Sequence, residues 1–344
     1  MVKHQRPQNM QLSYTSPARN FNEALPIGNG RIGAMIYGGL GSERISLNHD
    51  SLWAGLHPPA PKAAASSLAR IRAALFSDNR AEAERLVETE HLTTFTQPYL
   101  PAGTLIIEWP QEAAGVIHSR TLDLSTALAT ATADWVNGSI GRQYFASAPD
   151  NVIAIKLDIQ AMTGPVRVSL HSLLKHQVVA VDDTLCLSGR APSAVFWEDV
   201  ESPTTESDQV IYDPVLSRSF AIRLWLGTSA GQITAEGASL LLQDATDATI
   251  LIAIETDAAS ANPAEACDGV LAAARRKCID TLLADHIQDH ARLFDRFSIV
   301  LGDTPAAEFS STDQRLSSFA DTKNDPGLFA LEHIRFKPHH SLPL

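Results

Sequence analysis

A long series of short alternating segments constrains this chain more than any other feature of its sequence. From about Gln11 to Thr256, apolar and polar residues alternate in short runs that are separated by Gly, Asp, Asn and Pro. In the clearest case, Leu128–Val136 and Ser139–Phe145 flank Asn137-Gly138, a dipeptide that favours a two-residue hairpin turn because both positions need positive φ. Many short strands with few helices between them favour a mainly β fold, an antiparallel β-sandwich rather than a parallel α/β sheet.

The same alternation predicts further strands in this region. They are Thr104–Trp109, Val152–Ile159, Val166–Leu174, Thr184–Ser188, Phe220–Leu226, Ser239–Leu242 and Thr249–Thr256. Helical periodicity interrupts them between Ser66 and Leu92, where Asn79 with Glu82 resembles the capping box that opens a second helix. The interruption predicts a helical hairpin laid over one edge or face of the sheet.

At Asn262 the period changes from that of strands to that of helices. Asn262 is a good N-cap, Pro263 suits the first helical position, and Glu265 follows three residues after the cap. Apolar residues then recur at helical spacing, which predicts a long amphipathic helix that continues or restarts. We therefore place a domain boundary here, with a β-sandwich over residues 11–261 and a helical linker over residues 262–300.

The charge balance and the hydropathy pattern argue against two classes of partner. The chain has 27 Lys and Arg against 39 Asp and Glu, a formal net charge of -12, so it has no general attraction for phosphate backbones and we expect no nucleic acid partner. No segment approaches the roughly 20 consecutive apolar residues of a membrane helix, and we expect no membrane span. No signal peptide is visible, which favours the cytoplasm unless the native start lies upstream.

Metal and disulfide chemistry have little support in the sequence. The three cysteines, Cys186, Cys267 and Cys278, form no Cys-x-x-Cys pair, so we interpret them as small buried apolar residues. His286 and His290 stand four residues apart on a predicted helix, a spacing that suits zinc, but no third ligand is apparent. We expect no metal and no other cofactor.

Two local motifs resemble binding or catalytic sequences. Gly28-Asn-Gly30-Arg-Ile-Gly33 matches the dinucleotide fingerprint, but no buried strand precedes it and no helix follows it, so we expect a turn between strands and no nucleotide binding. Glu198-Asp199 and Glu201 offer neighbouring carboxylates of the kind that glycosidases use, yet acidic neighbours on a loop are typical of a solvated surface. These residues alone define no active site.

Several blocks, taken in order, resemble glycoside hydrolase family 95, the α-L-fucosidase family with some α-L-galactosidase members. The strongest are Glu23–Met35, which contains the glycine motif, and Leu47–Gly55. The resemblance continues through Arg120–Leu124, Arg142–Asp150, His290–Arg296, Thr312–Leu316 and Asp325-Pro326, so that it covers roughly residues 12–331. At His49 the sequence departs from the family, which usually has Glu between the Asn and the Asp.

The resemblance implies a large N-terminal β-sandwich, a helical linker, an (α/α)6 barrel and a C-terminal β domain. It also implies inverting hydrolysis by a general-acid Glu and a water activated through Asn and Asp, all of which lie on the barrel. Here the match reaches only the beginning of the barrel, residues 301–331, and residues 332–344 depart from the family. We therefore expect no catalytic residue and interpret the chain as a truncated α-L-fucosidase-like hydrolase that is inactive alone.

In the architecture that the resemblance implies, the sandwich packs against the barrel and helps to shape the entrance to the sugar pocket. Asn48, Asp50 and Trp53 are then the candidates for sugar binding or for the interdomain contact. The alternative is that they stabilise a loop within the sandwich. The partner implied is a fucosylated glycan, reached through the parent enzyme.

Two other functions stay open. One is a non-catalytic carbohydrate-binding or interaction module, and the other is half of a split enzyme that a separately encoded barrel chain completes. Where no barrel covers the linker, we expect Leu271, Leu282, Leu283 and Phe294 to leave part of an apolar stripe in water.

Overall fold

The computed structural model describes residues 10–55, 64–92, 97–110, 117–135, 138–161, 164–195, 210–298 and 311–322. They form two compact units. The first comprises the described residues of Met1–Ser51, Pro101–Gly189 and Ser219–Leu344. The second comprises those of Leu52–Leu100 and Arg190–Arg218.

The first unit is a sandwich of two antiparallel sheets, whose strands are numbered in chain order. The larger sheet has nine strands, in the spatial order β1 (Gln11–Tyr14), β6 (Ile117–Asp123), β7 (Leu128–Trp135), β8 (Gly138–Ser147), β9 (Val152–Gln160), β18 (Asp247–Thr256), β15 (Ser219–Gly227), β12 (Thr184–Arg190) and β11 (Lys175–Val181). The smaller sheet has seven, in the order β16 (Gln232–Glu236), β17 (Ser239–Gln243), β10 (Val166–His171), β5 (Gly103–Glu108), β4 (Ser42–His49), β3 (Ile32–Ile36) and β2 (Leu25–Gly28). The mainly β sandwich predicted from alternation is thus confirmed.

Every strand predicted from alternation forms, and in β5, β10 and β17 every second residue of the run lies on one buried face. The hairpin of β7 and β8 is confirmed by the pairing of Trp135 with Gly138, although Asn137 lies outside the described residues. The sequence did not predict β4, whose buried face carries the charged Glu43 beside Ile45 and Leu47. Because the charged Glu43 occupies a buried position, the sequence of β4 does not show a regular alternation of apolar and polar residues.

A buried ion pair joins the two sheets. On β8, Arg142 donates from Nη1 to Oε2 of Glu43 on β4 at 2.6 Å, and the Tyr144 hydroxyl donates to the same oxygen at 2.8 Å. The backbone N–H of Gly38 donates to the other carboxylate oxygen at 2.8 Å. Burial raises the pKa of Glu43, although the Arg142 guanidinium opposes that rise. The carboxylate therefore accepts hydrogen bonds from donors on both sides of the sandwich, namely Arg142 and Tyr144 of the larger sheet and the backbone of Gly38.

Substituting Glu43→Gln tests this pair. The substitution leaves the Arg142 guanidinium buried without a carboxylate, so we expect a loss of about 3–5 kcal/mol in the free energy of unfolding. The control is Glu236→Gln, which breaks the exposed 2.7 Å pair between Arg167 and Glu236 and should cost less than about 1 kcal/mol. Urea unfolding followed by circular dichroism measures both, and similar small losses would contradict a stabilising role for the buried pair.

Two helices cover the face of the larger sheet that is turned away from the smaller sheet. They are α3 (Pro263–Ala274) and α4 (Ile279–Phe294). The predicted cap is confirmed, since the Asn262 side chain accepts the Glu265 N–H. The first helix ends at Ala274, and the second begins at Ile279 after the N-cap residue Cys278. Both faces of β9 and β18 are consequently buried, which explains their nearly continuous apolar runs.

The expected exposed apolar stripe was wrong for Leu271 and Leu282, whereas Leu283 and Phe294 are half-buried. Leu271 and Leu282 are buried against Phe145, Val152 and Leu251 of the larger sheet. The sheet itself covers the apolar residues that the family resemblance had assigned to a contact with the barrel. Ion pairs also link the two helices and the residues between them to the larger sheet and its turns. They are Arg223–Asp268, Arg275–Asp183, Lys277–Asp150 and Lys156–Asp280.

Shortening Leu282 to Ala tests this packing. Leu282 is fully buried, so Leu282→Ala should lower the free energy of unfolding by about 2–5 kcal/mol through lost burial and a cavity. Leu293→Ala, on the exposed side of the same helix, should cost about 0.5 kcal/mol or less. Equal losses in urea unfolding would mean that α4 does not bury its apolar face on the sheet.

A third helix of the first unit, α5 (Thr312–Thr322), reaches back to the edge strand β1. The Ser13 N–H on β1 donates to the Thr312 hydroxyl at 2.9 Å. This helix lies within the predicted beginning of the barrel. The Asp325-Pro326 block, the departing tail 332–344 and the acidic loop at Glu198–Glu201 lie outside the described residues.

The second unit contains the predicted helical hairpin, which is confirmed as α1 (Ala64–Phe76) and α2 (Arg80–Glu90). The Asn79 side chain accepts the Glu82 N–H at 3.3 Å, as a capping residue does. The two helices pack through Ile71, Ala74, Ala83 and Leu86. A small antiparallel pair, β13 (Ala194–Val195) and β14 (Val210–Ile211), belongs to the same unit. Among the helices of the described ranges, none is long and apolar enough to cross a membrane.

Candidate functional site

The glycine motif forms the turn of the β2–β3 hairpin, which confirms the expected turn between strands. The expectation that no buried strand precedes the motif was wrong, since Leu25 and Ile27 of β2 are buried. Gly28 pairs with Gly33, and the Asn29 N–H donates to the Ile32 carbonyl at 3.1 Å. The Asn29 side-chain oxygen accepts the N–H groups of Arg31 and Ile32, both at 2.9 Å. Because a strand follows the turn, no helix N-terminus is available here to face a pyrophosphate group.

The register of β3 and β4 brings together the two strongest sequence blocks. Gly33 pairs with Asn48, and the Asp50 N–H donates to the Arg31 carbonyl at 2.8 Å. The glycine turn and the residues after β4 therefore meet at one end of the smaller sheet. We call this group the motif corner and define it as Asn29, Arg31, His49, Asp50, Asn151 and Glu255.

A buried carboxylate organises the motif corner. Arg31 donates from Nη2 to Oε2 of Glu255 at 2.7 Å, and the Asn151 amide donates to Oε1 at 3.1 Å. The Asn29 amide donates to the Ser147 carbonyl at 3.0 Å. Both oxygens of Glu255 thus accept hydrogen bonds from fixed donors, an arrangement that suits an anchor and leaves the carboxylate poorly placed as a general acid.

Sequence reasoning missed Glu255 and Arg31 as members of this site. A signal was present, because Glu255 is a charged residue within the apolar run Thr249–Thr256 of a predicted strand. Such a charge needs a partner when the strand is buried. Its partner Arg31 lies far away in the chain, so the sequence alone could not identify it.

His49 is a buried residue of the motif corner. Its Nδ1 atom is 3.0 Å from Asp50 Oδ1 and 3.0 Å from the Ser51 hydroxyl. A Ser-His-Asp catalytic triad instead places the serine and the carboxylate on opposite ring nitrogens, so this arrangement does not form one. Burial lowers the pKa of His49 to about 4, although the neighbouring Asp50 carboxylate opposes that shift. The imidazole is therefore neutral at neutral pH.

This lowered pKa makes the stability of the chain depend on pH. The folded pKa of about 4 lies below the ordinary value of 6.5, so the unfolded chain takes up a proton first as the pH falls. Stability that is fully present above pH 6.5 is then lost between about pH 6.5 and pH 4. Between pH 7 and pH 4.5, His49→Gln should lose about 2 kcal/mol less unfolding free energy than the wild type. Parallel losses in urea titrations at the two pH values would show that His49 does not contribute.

The three candidate residues do not share one unit. Asn48 is half-buried on β4 and Asp50 is exposed in the motif corner, both in the first unit. Trp53 belongs to the second unit, where it forms an isolated antiparallel bridge with Tyr99. The two ring centroids are 5.0 Å apart and the rings are tilted by 55°. Sequence reasoning missed Tyr99, since no local pattern links residues so far apart in the chain.

The histidine pair on α4 has a structural role. His286 Nε2 donates to the Thr126 carbonyl and His290 Nε2 to the Leu124 carbonyl, both at 3.0 Å. Burial also lowers the pKa of His286. Across the described residues, no group of three or more His, Cys, Asp or Glu could hold a metal ion.

The interpretation of all three cysteines as buried was only partly right. Cys267 is buried, and burial raises its pKa to about 12. Cys186 is half-buried, whereas Cys278 is exposed, which corrects the interpretation for that residue. Hydrogen bonds from Thr281 lower the pKa of the Cys278 thiol. Cys278 is exposed because it caps the start of α4 instead of lying on the face that packs against the sheet.

The family of this chain follows from the protein-family models that its sequence matches. Residues 12–261 match the model described as glycosyl hydrolase family 65, N-terminal domain. The chain belongs to this family. Residues 278–334 match the glycosyl hydrolase family 95 catalytic domain, so the resemblance to family 95 found in the sequence is confirmed.

Individual relatives agree with this affiliation. The chain is 28% identical to "Alpha-L-fucosidase 2" of Arabidopsis thaliana over 94% of its own length and 40% of the relative's. It is 24% identical to "Probable alpha-fucosidase A" of Aspergillus oryzae over 88% of its own length and 43% of the relative's. The chain therefore spans about two fifths of the length of these curated relatives.

Among solved structures, a putative kojibiose phosphorylase from the human microbiome is similar to 82% of this chain and to 38% of its own. The TM-score is 0.46 and the sequence identity is 8%. This score supports no conclusion about the chain.

Proposed function

We propose that this glycoside hydrolase family member supplies the β-sandwich part of an α-L-fucosidase-type enzyme and does not hydrolyse glycosides alone. The observation that carries the proposal is the succession of the two family matches, over residues 12–261 and then 278–334. The names of the Arabidopsis and Aspergillus relatives support fucosides as the substrate class. The domain plan that goes with it is a sandwich over 11–261, a helical linker over 262–300 and the beginning of a barrel over 301–331.

The exposed groups of the motif corner support a role in domain contact. Arg31 and Asp50 present charged side chains at the surface, while Glu255 and His49 beneath them are buried. Surface side chains that are already fixed by buried partners lose less conformational entropy when a second domain binds to them. We assign Asn48, Asp50 and Arg31 to the contact with the catalytic barrel.

The described carboxylates support the absence of hydrolysis. An inverting glycosidase needs two carboxyl groups roughly 6.5–9.5 Å apart, one to protonate the leaving group and one to activate water. The buried glutamates of the described ranges, Glu43 and Glu255, each accept hydrogen bonds from an arginine instead. Both carboxylates are thus occupied by hydrogen bonds within the sandwich.

The test is an assay with aryl α-L-fucoside and aryl α-L-galactoside. We expect no release of the aryl group above buffer by the purified chain. Turnover should appear when the chain is produced together with the coding sequence that follows it, read in all three frames, if one frame encodes a barrel. Turnover by the chain alone that Glu255→Gln abolishes would refute the proposal, and Glu236→Gln is the matched surface control.

A further inference from the structure

The aromatic pair of the second unit has a geometry that suits ligand stacking. Trp53 and Tyr99 remain 38% and 39% exposed, although large aromatic side chains are usually buried deeply. Their centroids are 5.0 Å apart and their planes meet at 55°. The two partly exposed rings are therefore in contact and tilted against each other rather than stacked flat.

The backbone beneath the two rings is fixed on both sides of the bridge. The Ala54 N–H donates to the Pro98 carbonyl at 3.0 Å, and the Leu100 N–H donates to the Leu52 carbonyl at 2.9 Å. Leu52 and Ala54, which flank Trp53, are buried. An exposed ring on a fixed backbone loses little conformational freedom when a ligand binds.

Gly55 extends this rigid segment. Its N–H donates to the Pro192 carbonyl at 2.9 Å, and its φ of +66° lies in the left-handed region. A Cβ at this position would lie 2.4 Å from the Ser193 carbonyl oxygen, so only glycine fits. The backbone at Gly55 is thereby held close to the 190–195 segment of the same unit.

We propose that Trp53 and Tyr99 form a platform on which one pyranose ring of a fucosylated oligosaccharide stacks. The assignment of the sugar rests on the proposed function, whereas the platform rests on the geometry of the rings. A pyranose carries C–H groups on one face and hydroxyls around its rim. The C–H face fits an indole face, and a tyrosine hydroxyl can donate to or accept from a rim hydroxyl.

The size of the exposed aromatic surface favours a single sugar over a protein partner. An aromatic side chain that buries about 150–250 Å² when covered still offers roughly 60–100 Å² at this exposure. The pair therefore offers roughly 120–200 Å², against the roughly 800 Å² that each partner contributes to a stable protein interface. One stacked ring on a shallow surface should bind weakly, with a Kd on the order of millimolar.

The experiment titrates the full chain with 2′-fucosyllactose and with lactose, followed by saturation-transfer difference NMR. Saturation of the aromatic protons should transfer most strongly to one face of the fucose ring, and lactose should show at least a threefold weaker effect. Trp53→Ala and Tyr99→Ala should each weaken 2′-fucosyllactose binding about tenfold or more. Phe76→Ala is the matched control, because Phe76 is a highly exposed aromatic residue of the same unit, and it should leave binding unchanged.

Several outcomes would overturn the platform. They are a wild type with no saturable binding, binding that the Trp53 and Tyr99 substitutions leave intact, or an effect of Trp53→Ala on self-association alone. If an alanine variant does not fold by circular dichroism, Trp53→Phe should retain binding within about threefold, while Tyr99→Leu should lose it.

The result is separable from that of the proposed function. Equal binding of lactose and 2′-fucosyllactose, both lost on Trp53→Ala, would keep the platform and reject the fucoside assignment. Hydrolysis by the chain alone would reject the proposed function without affecting the stacking measurement.

Discussion

The buried pair of Glu43 and Arg142 is the interaction on which the rest of the sandwich depends. It links β4 of the smaller sheet to β8 of the larger one, and Tyr144 and Gly38 complete the hydrogen bonds of the carboxylate. Removing one of the two residues would leave a buried charge without a partner, and the free-energy cost of that charge exceeds the stabilisation that the intact pair provides. The two sheets therefore pack in the arrangement that pairs these two charges, with the apolar residues around them.

A fixed relation between the sheets is also what assembles the motif corner. Arg31 lies in the turn between β2 and β3 of the smaller sheet. Glu255 lies on β18 of the larger sheet, and Asn151 lies in the turn between β8 and β9 of the same sheet. In the motif corner, as in the Glu43–Arg142 pair, an arginine donates to a buried glutamate. Here, however, the side chain of the arginine, Arg31, is partly exposed. The same interaction thus stabilises the core at one position and presents charge to solvent at the other.

The helices α3 and α4 extend the sandwich into a third layer. Leu271 and Leu282 bury against the larger sheet, and ion pairs such as Lys277–Asp150 surround this contact. His286 and His290 join α4 to the turn after β6. This layer belongs physically to the sandwich, and the family 95 catalytic match begins at residue 278, where α4 starts. The proposed linker therefore has one face on the sandwich and, in the proposed enzyme, the other toward the barrel.

The sequence by itself determined the local elements and the family. Alternation predicts β7, β8 and β18, the Asn262 cap predicts the start of α3, and the ordered blocks identify family 95, because each depends on residues close together in the chain. Tertiary structure alone decided that Leu282 is buried, that Glu255 meets Arg31, and that Trp53 lies beside Tyr99. Periodicity shows which face of an element is apolar, but it does not show which surface covers that face, and contacts between distant residues are set by how the elements pack.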